Sequence, residues 1–165
     1  MAIIDSILME LDQESKTTQR VLERVPGDKL SWKPHPKSMS LGQLALHIAG
    51  GQGGLADMVS QDTYEIGSMS QPEPKTQKEV MDKFAQSTAH AKEVLAKFDD
   101  AKLLSTWTLT GGGKVILSMP RIGFIRAILL NHIYHHRGQL SVYLRLLDVP
   151  LPSIYGPSAD ENPFV

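Results

Sequence analysis

The chain contains no cysteine among its 165 residues. That excludes disulfides, thiolate metal sites, iron–sulfur clusters and a cysteine nucleophile. It also lacks an excess of charge of either sign. Seventeen Lys and Arg oppose 18 Asp and Glu, a formal charge of −1, which leaves no electrostatic footprint for nucleic acid or an anionic membrane. No apolar run approaches the roughly 18 residues of a membrane span. The first residues, with acids at Asp5, Glu10 and Asp12, have neither the basic nor the long apolar region of a secretory leader, so a cytoplasmic location is the expectation. Two catalytic patterns are missing as well. There is no nucleophile elbow for Ser-His-Asp chemistry, and no GK[ST] follows Gly111 to Gly113 into a helix, as a phosphate loop requires. A resident metal would have to rest on imidazole, carboxylate, carbonyl or water.

What is present reads as helix. Composition is ordinary for a globular protein, 41% apolar and 21% charged, and the length suits one domain over 1–165. Residues 3–25 carry Ile4, Leu8, Leu11, Thr18, Leu22 and Val25 at helical steps, stopped by Pro26 and Gly27. After a loop over 27–39, Ser40 with Gln43 forms a capping box that opens a second helix. Leu44, His47, Ile48, Gly51, Leu55 and Met58 lie along one side of it, and Gly51, Gly53 and Gly54 permit close approach of a neighbour. Residues 60–75 read as a polar loop. Thr76 with Glu79 makes a second box, and that helix runs to about Phe98. Residues 105–119 read as a small hairpin around the three glycines, or equally as an irregular loop. Pro120 opens the longest helix, 121–147. At 100° per residue, Ile125, Ile128, Leu129, His132, His136, Gln139, Leu140, Tyr143, Leu146 and Leu147 share its apolar face. The expected class is all-α, a four-helix bundle or a looser helical array.

The histidines are the chemical signal. His132 and His136 stand four apart, a rise of about 6 Å, so both imidazoles can meet one ion. His47 has the same inward character between Leu44 and Ile48. Three neutral imidazoles would leave a coordination position open. Alternatively, each buried histidine bonds to a backbone carbonyl. His135 complicates the set: it could support the site, face solvent, or be the ligand in place of His136. His35 and His90 are expected to face solvent. The pair is not HExxH, because Ile133, Tyr134 and His135 follow His132 and supply no glutamate. Gln139, one turn beyond His136, is the candidate catalytic amide, able to donate to a metal-bound water or to hold His136; a buried amide bonded to backbone is the plain alternative. Arg137 points away from His132, and a surface ion pair is its ordinary reading.

Three strings carry a resemblance: Leu41-Gly42-Gln43-Leu44-Ala45-Leu46-His47-Ile48-Ala49, His132-Ile133-Tyr134-His135-His136-Arg137-Gly138-Gln139-Leu140, and Pro152 through Glu161. Together they resemble the DinB family of damage-inducible bacterial proteins, also called DinB/YfiT-like metalloenzymes, over nearly the whole chain. The resemblance selects His136 over His135 and implies a three-histidine metal site at His47, His132 and His136, taking nickel, zinc or a similar divalent ion. It implies an up-down-down-up four-helix bundle and, in many members, a homodimer. Some relatives resemble thiol-dependent transferases that use mycothiol, bacillithiol or glutathione, and others metal-dependent hydrolases; a non-catalytic metal-binding stress protein is the further alternative. The implied partner is a small-molecule substrate, with a low-molecular-weight thiol supplying the sulfur this chain lacks. Asp148 stands where a glycine is common after the last helix.

Overall fold

The computed structural model describes residues 2–68 and 70–164. Among these, the chain is mainly helical with one small sheet. The elements in order are α1 (Ile3–Leu22), α2 (Leu41–Ser60), β1 (Thr63–Glu65), α3 (Gln77–Leu95), α4 (Asp100–Leu104), β2 (Thr106–Gly111), β3 (Lys114–Pro120), α5 (Arg121–Phe124), a π-helical segment (Ile125–Leu130) and α6 (Asn131–Leu146). The last three form one continuous rod. α2 packs along α3 and α6, and α1 packs on α3 and α6. No helix among the described residues is long and apolar enough to cross a membrane.

Local signals account for most boundaries. Ser40 accepts from Gln43 N–H while the Gln43 amide oxygen accepts from Ser40 N–H, so the first capping box is complete. The second is half made: Thr76 accepts from Glu79 N–H, but the Glu79 carboxylate takes Lys75 N–H instead. Asp148 has φ of +56° just past α6, the left-handed position that glycine fills without strain.

The sheet corrects the all-α expectation. The hairpin forms, with β2 antiparallel to β3 from Thr106 opposite Pro120 to Gly111 opposite Lys114. Its two turn residues, Gly112 and Gly113, both have positive φ, as a type I′ turn requires. The polar loop over 60–75 contains a third strand, β1, parallel to β2. Three residues are too short for an alternating pattern to show. Arg121, 1% exposed, ties this end together. Its guanidinium donates to Val59 O, Gln61 O, Thr106 O and Ser105 Oγ and pairs with Asp62.

The interior is layered along the helix axes. One apolar cluster joins Ile4, Ile7 and Leu11 to Ala56, Val59, Leu95, Leu129 and Ile133. The other joins Val21 and Leu22 to Leu44, Ile48, Val80, Phe84, Leu140 and Leu144. Between them each long helix contributes buried polar side chains: Glu14, Ser15 and Thr18 from α1, Gln52 from α2, Ser87 from α3 and Arg137 from α6.

The face of the last helix also differs from its reading as uninterrupted α-helix. Ile125 and Leu129 are buried, but the stripe then runs Leu130, Ile133, Arg137, Leu140, Leu144. A π-helical turn takes up one residue more than an α-turn, so everything beyond it is set back by about 100°. His132, His136 and Gln139 therefore flank the core stripe. Arg137, read as a surface residue, occupies the core position.

The expected close approach of α2 falls at Gly53. Its N–H donates to Ser87 Oγ at 2.8 Å, and a Cβ there would stand 2.9 Å from Ser87 Oγ and 3.2 Å from Ser87 O; at Gly54 a Cβ would meet nothing within 4 Å. Gly53→Ala is expected to destabilise by about 1–3 kcal/mol through overpacking. Gly54→Ala should stabilise by about 0.5–1 kcal/mol through helix propensity. Urea midpoints of the two variants check the pair, and the reverse order would contradict this packing.

Candidate metal centre

Two elements bring three imidazoles together. His47 lies in the second turn of α2, and His132 and His136 lie one turn apart at the start of α6. His47 Nε2 is 3.0 Å from His132 Nε2, and His136 Nε2 is 3.1 Å from the same atom. One donor nitrogen from each of the three rings lies within 4.8 Å of the others. The rings stand edge to face, with centroids 4.3 to 4.8 Å apart. Gly51, one turn beyond His47, faces His132: a Cβ there would sit 3.8 Å from His132 Nδ1, an ordinary contact.

All three rings are half-buried, and all three are pushed toward the neutral form. Burial is the main cause at each. At His132, with His136, His47 and His135 adding repulsion, the pKa falls to about 4. His47 is lowered by burial and by His136. At His136, burial outweighs the opposing hydrogen bond to Gln139, and His135 lowers it further. Neutral imidazoles have a lone pair to give.

The tautomer of His136 is fixed. Its Nδ1–H donates to Gln139 Oε1 at 2.7 Å, which leaves Nε2 as the lone pair facing His132. A hydrogen bond from the far ring nitrogen is the usual support of a ligating histidine.

The arrangement fits a metal ion on its donor chemistry. His132 Nε2 has two nitrogen neighbours, yet a neutral ring nitrogen carries either one hydrogen or one lone pair and can satisfy only one of them. A cation satisfies all three at once. Two nitrogens held at about 2.0–2.1 Å from one ion are about 2.9 Å apart at a right angle and about 3.3 Å apart at a tetrahedral angle. The observed 3.0 and 3.1 Å fall between these limits, while all three donor nitrogens lie within 4.8 Å of one another.

The other candidate residues take definite places. His135 is exposed and lies outside the cluster, its ring centroid 4.8 Å from that of His136. His35 and His90 are exposed, His90 bonded to Asp57 at 2.7 Å. Gln139 is exposed rather than buried, with its amide oxygen on His136.

One group of residues escaped the sequence reading. Arg137 and Glu14 form a buried ion pair at 2.7 Å, with Arg137 also donating to Thr18 Oγ1 and Glu14 O. The Tyr155 hydroxyl from the C-terminal tail bonds both partners. The available signal was Glu14 itself, a carboxylate on the same face as Leu11 and Thr18.

With fold and site described, the class of protein follows. The DinB superfamily model matches residues 10–140, and the chain belongs to that superfamily. A DinB-like protein from Bacillus cereus ATCC 10987 has a similar crystal structure, with a TM-score of 0.76 and 25% identity over 93% of this chain and 98% of its own. The DinB-like protein YjoA from Bacillus subtilis shares the fold, with a TM-score of 0.70 at 18% identity over 90% of this chain and 97% of its own. The uncharacterized protein YrdA of Bacillus subtilis (strain 168) is 25% identical over 159 residues, which are 96% of this chain and 91% of YrdA.

The depressed His132 pKa sets a pH dependence for the metal-free protein. Its folded value of about 4 lies below the ordinary value of about 6.5 for an unfolded chain. Between the two the unfolded state binds more protons, so stability falls as pH drops from about 6.5 toward 4. His132→Gln should lose less stability over that window. An NMR titration should find the His132 ring titrating near pH 4; a midpoint near 6.5 would contradict the burial described.

Proposed function

We propose that this chain is a metal-dependent enzyme whose one divalent ion, nickel or zinc, is held by His47, His132 and His136. The observation that carries the reading is the clustering of three neutral imidazoles, with donor nitrogens within 4.8 Å of one another and the His136 Nδ1–H on Gln139. When bound, such an ion supplies Lewis acidity and lowers the pKa of a water or thiol placed against it. Three protein ligands leave a position for that partner. The long helices would form the family's up-down-down-up bundle, and the active species would be a cytoplasmic homodimer.

The reaction best matched to the chain is transfer to or from a low-molecular-weight thiol. The protein has no cysteine, so a sulfur nucleophile must arrive with the substrate. Gln139 touches the ligand ring and acts as a positioning residue, holding His136 in orientation. Among the described residues of the cluster, His47 is the donor from outside α6, so an ion there would bridge α2 and α6.

Protein purified without chelator should carry about one equivalent of nickel or zinc per chain by elemental analysis. His47→Ala should abolish that content while the fold survives. A steep fall in melting temperature would instead mark the ion as structural. Gln139→Ala should weaken metal affinity about 10- to 100-fold, the usual effect of losing a partner that supports a ligand. Conjugation of glutathione, bacillithiol or mycothiol to an electrophile tests the transferase reading against ester or amide hydrolysis. Protein that is metal-free and indifferent to added nickel and zinc would refute the proposal.

A further inference from the structure

Arg137 follows His136 directly, yet its side chain, about 100° further round α6, turns to α1. It is 1% exposed, and its partner Glu14 is 6% exposed. The pair lies in the polar layer between the two apolar clusters. Arg137 donates to Glu14 O and Thr18 Oγ1 as well as to the carboxylate, so it grips two successive turns of α1. Its guanidinium also lies 5.0 Å from the Tyr155 ring and 5.5 Å from the Tyr134 ring. Apolar neighbours above and below it tolerate small rotations of a helix. A directional, desolvated guanidinium–carboxylate pair does not.

The placement matters because the π-helical segment ends at Leu130, immediately before α6. Such a turn can relax to ordinary α-helix by moving the extra residue along the chain, which would rotate α6 by about 100°. His132 and His136 would then turn into the core, and Arg137 would leave it. The Arg137–Glu14 pair is made only in the observed phase.

We infer that the Arg137–Glu14 pair, capped by the Tyr155 hydroxyl, is the positioning device that sets the rotation of α6 and so directs His132 and His136 at His47. This rests on the metal-site reading for its consequence, but the positioning itself can be observed without metal.

The test replaces both partners, because Arg137→Met alone would leave the Glu14 carboxylate buried and unpaired. Exchange of a whole buried ion pair for apolar residues of similar volume is often tolerated. Glu14→Met with Arg137→Met should keep a melting temperature close to that of the wild type. Its affinity for cobalt(II), used alone as the probe, should fall at least about tenfold, with an altered visible absorption spectrum. The metal-free variant should also lose the ring-to-ring nuclear Overhauser contacts between His47 and His132 that the wild type, with ring centroids 4.8 Å apart, should show. A folded variant with wild-type cobalt affinity and intact ring contacts would overturn the inference. Should the double variant fail to fold, Tyr155→Phe removes only the capping hydroxyl from an exposed residue. It should weaken cobalt binding about threefold or more and thin the ring contacts; no change in either would also overturn it. A wild type that takes no cobalt would defeat the metal reading alone, and the ring contacts would still decide the positioning.

Discussion

Between Ile125 and Leu130 the final helix is wound as a π-helix, and this segment fixes what every later side chain faces. Without it, the core stripe begun by Ile125 and Leu129 would continue through His132 and His136. With it, Ile133, Leu140 and Leu144 enter the two apolar clusters, and the histidines stand at the seam with α2. Burial of three imidazoles deep in an apolar core would be costly unless each found a partner. At the seam they are half-buried, dry enough to stay neutral and open enough to be reached.

The polar layer gives this arrangement its rigidity. The interior is apolar at both ends and polar at one level, where α1 contributes Glu14, Ser15 and Thr18 and α2 contributes Gln52. The layer is well paired on the Arg137 side. Gln52 is the looser member: its oxygen accepts from Ser15 Oγ at 3.2 Å, while its Nε2 has no partner among the described residues. A chain that maximised apolar packing would not place these groups here. Arg137 ties this layer to the histidines, since it follows His136 directly in α6.

Much of this was legible in the sequence because the signals are local. Ser40 with Gln43 announced α2, Gly112 and Gly113 announced the hairpin turn, and the four-residue step from His132 to His136 announced that the two imidazoles could meet. His47 could be tied to that pair only by resemblance, since 85 residues separate it from His132. The unread features are non-local or leave no compositional trace. β1 is three residues whose strand character comes from pairing with β2, more than 40 positions away. Nothing in Ile125-Arg126-Ala127-Ile128-Leu129-Leu130 marks a π-turn, so the phase of α6 came out one residue off. That single slip placed Arg137 on the surface in the sequence reading and in the core in the structure.

The central claim is that His47, His132 and His136 share one ion. An anomalous-difference map from crystals grown with nickel or zinc tests it most directly. The account predicts a single strong peak about 2.0–2.1 Å from an imidazole nitrogen of each of the three residues. A map with no peak there, or with metal only at exposed groups such as His90 and Asp57, would contradict it.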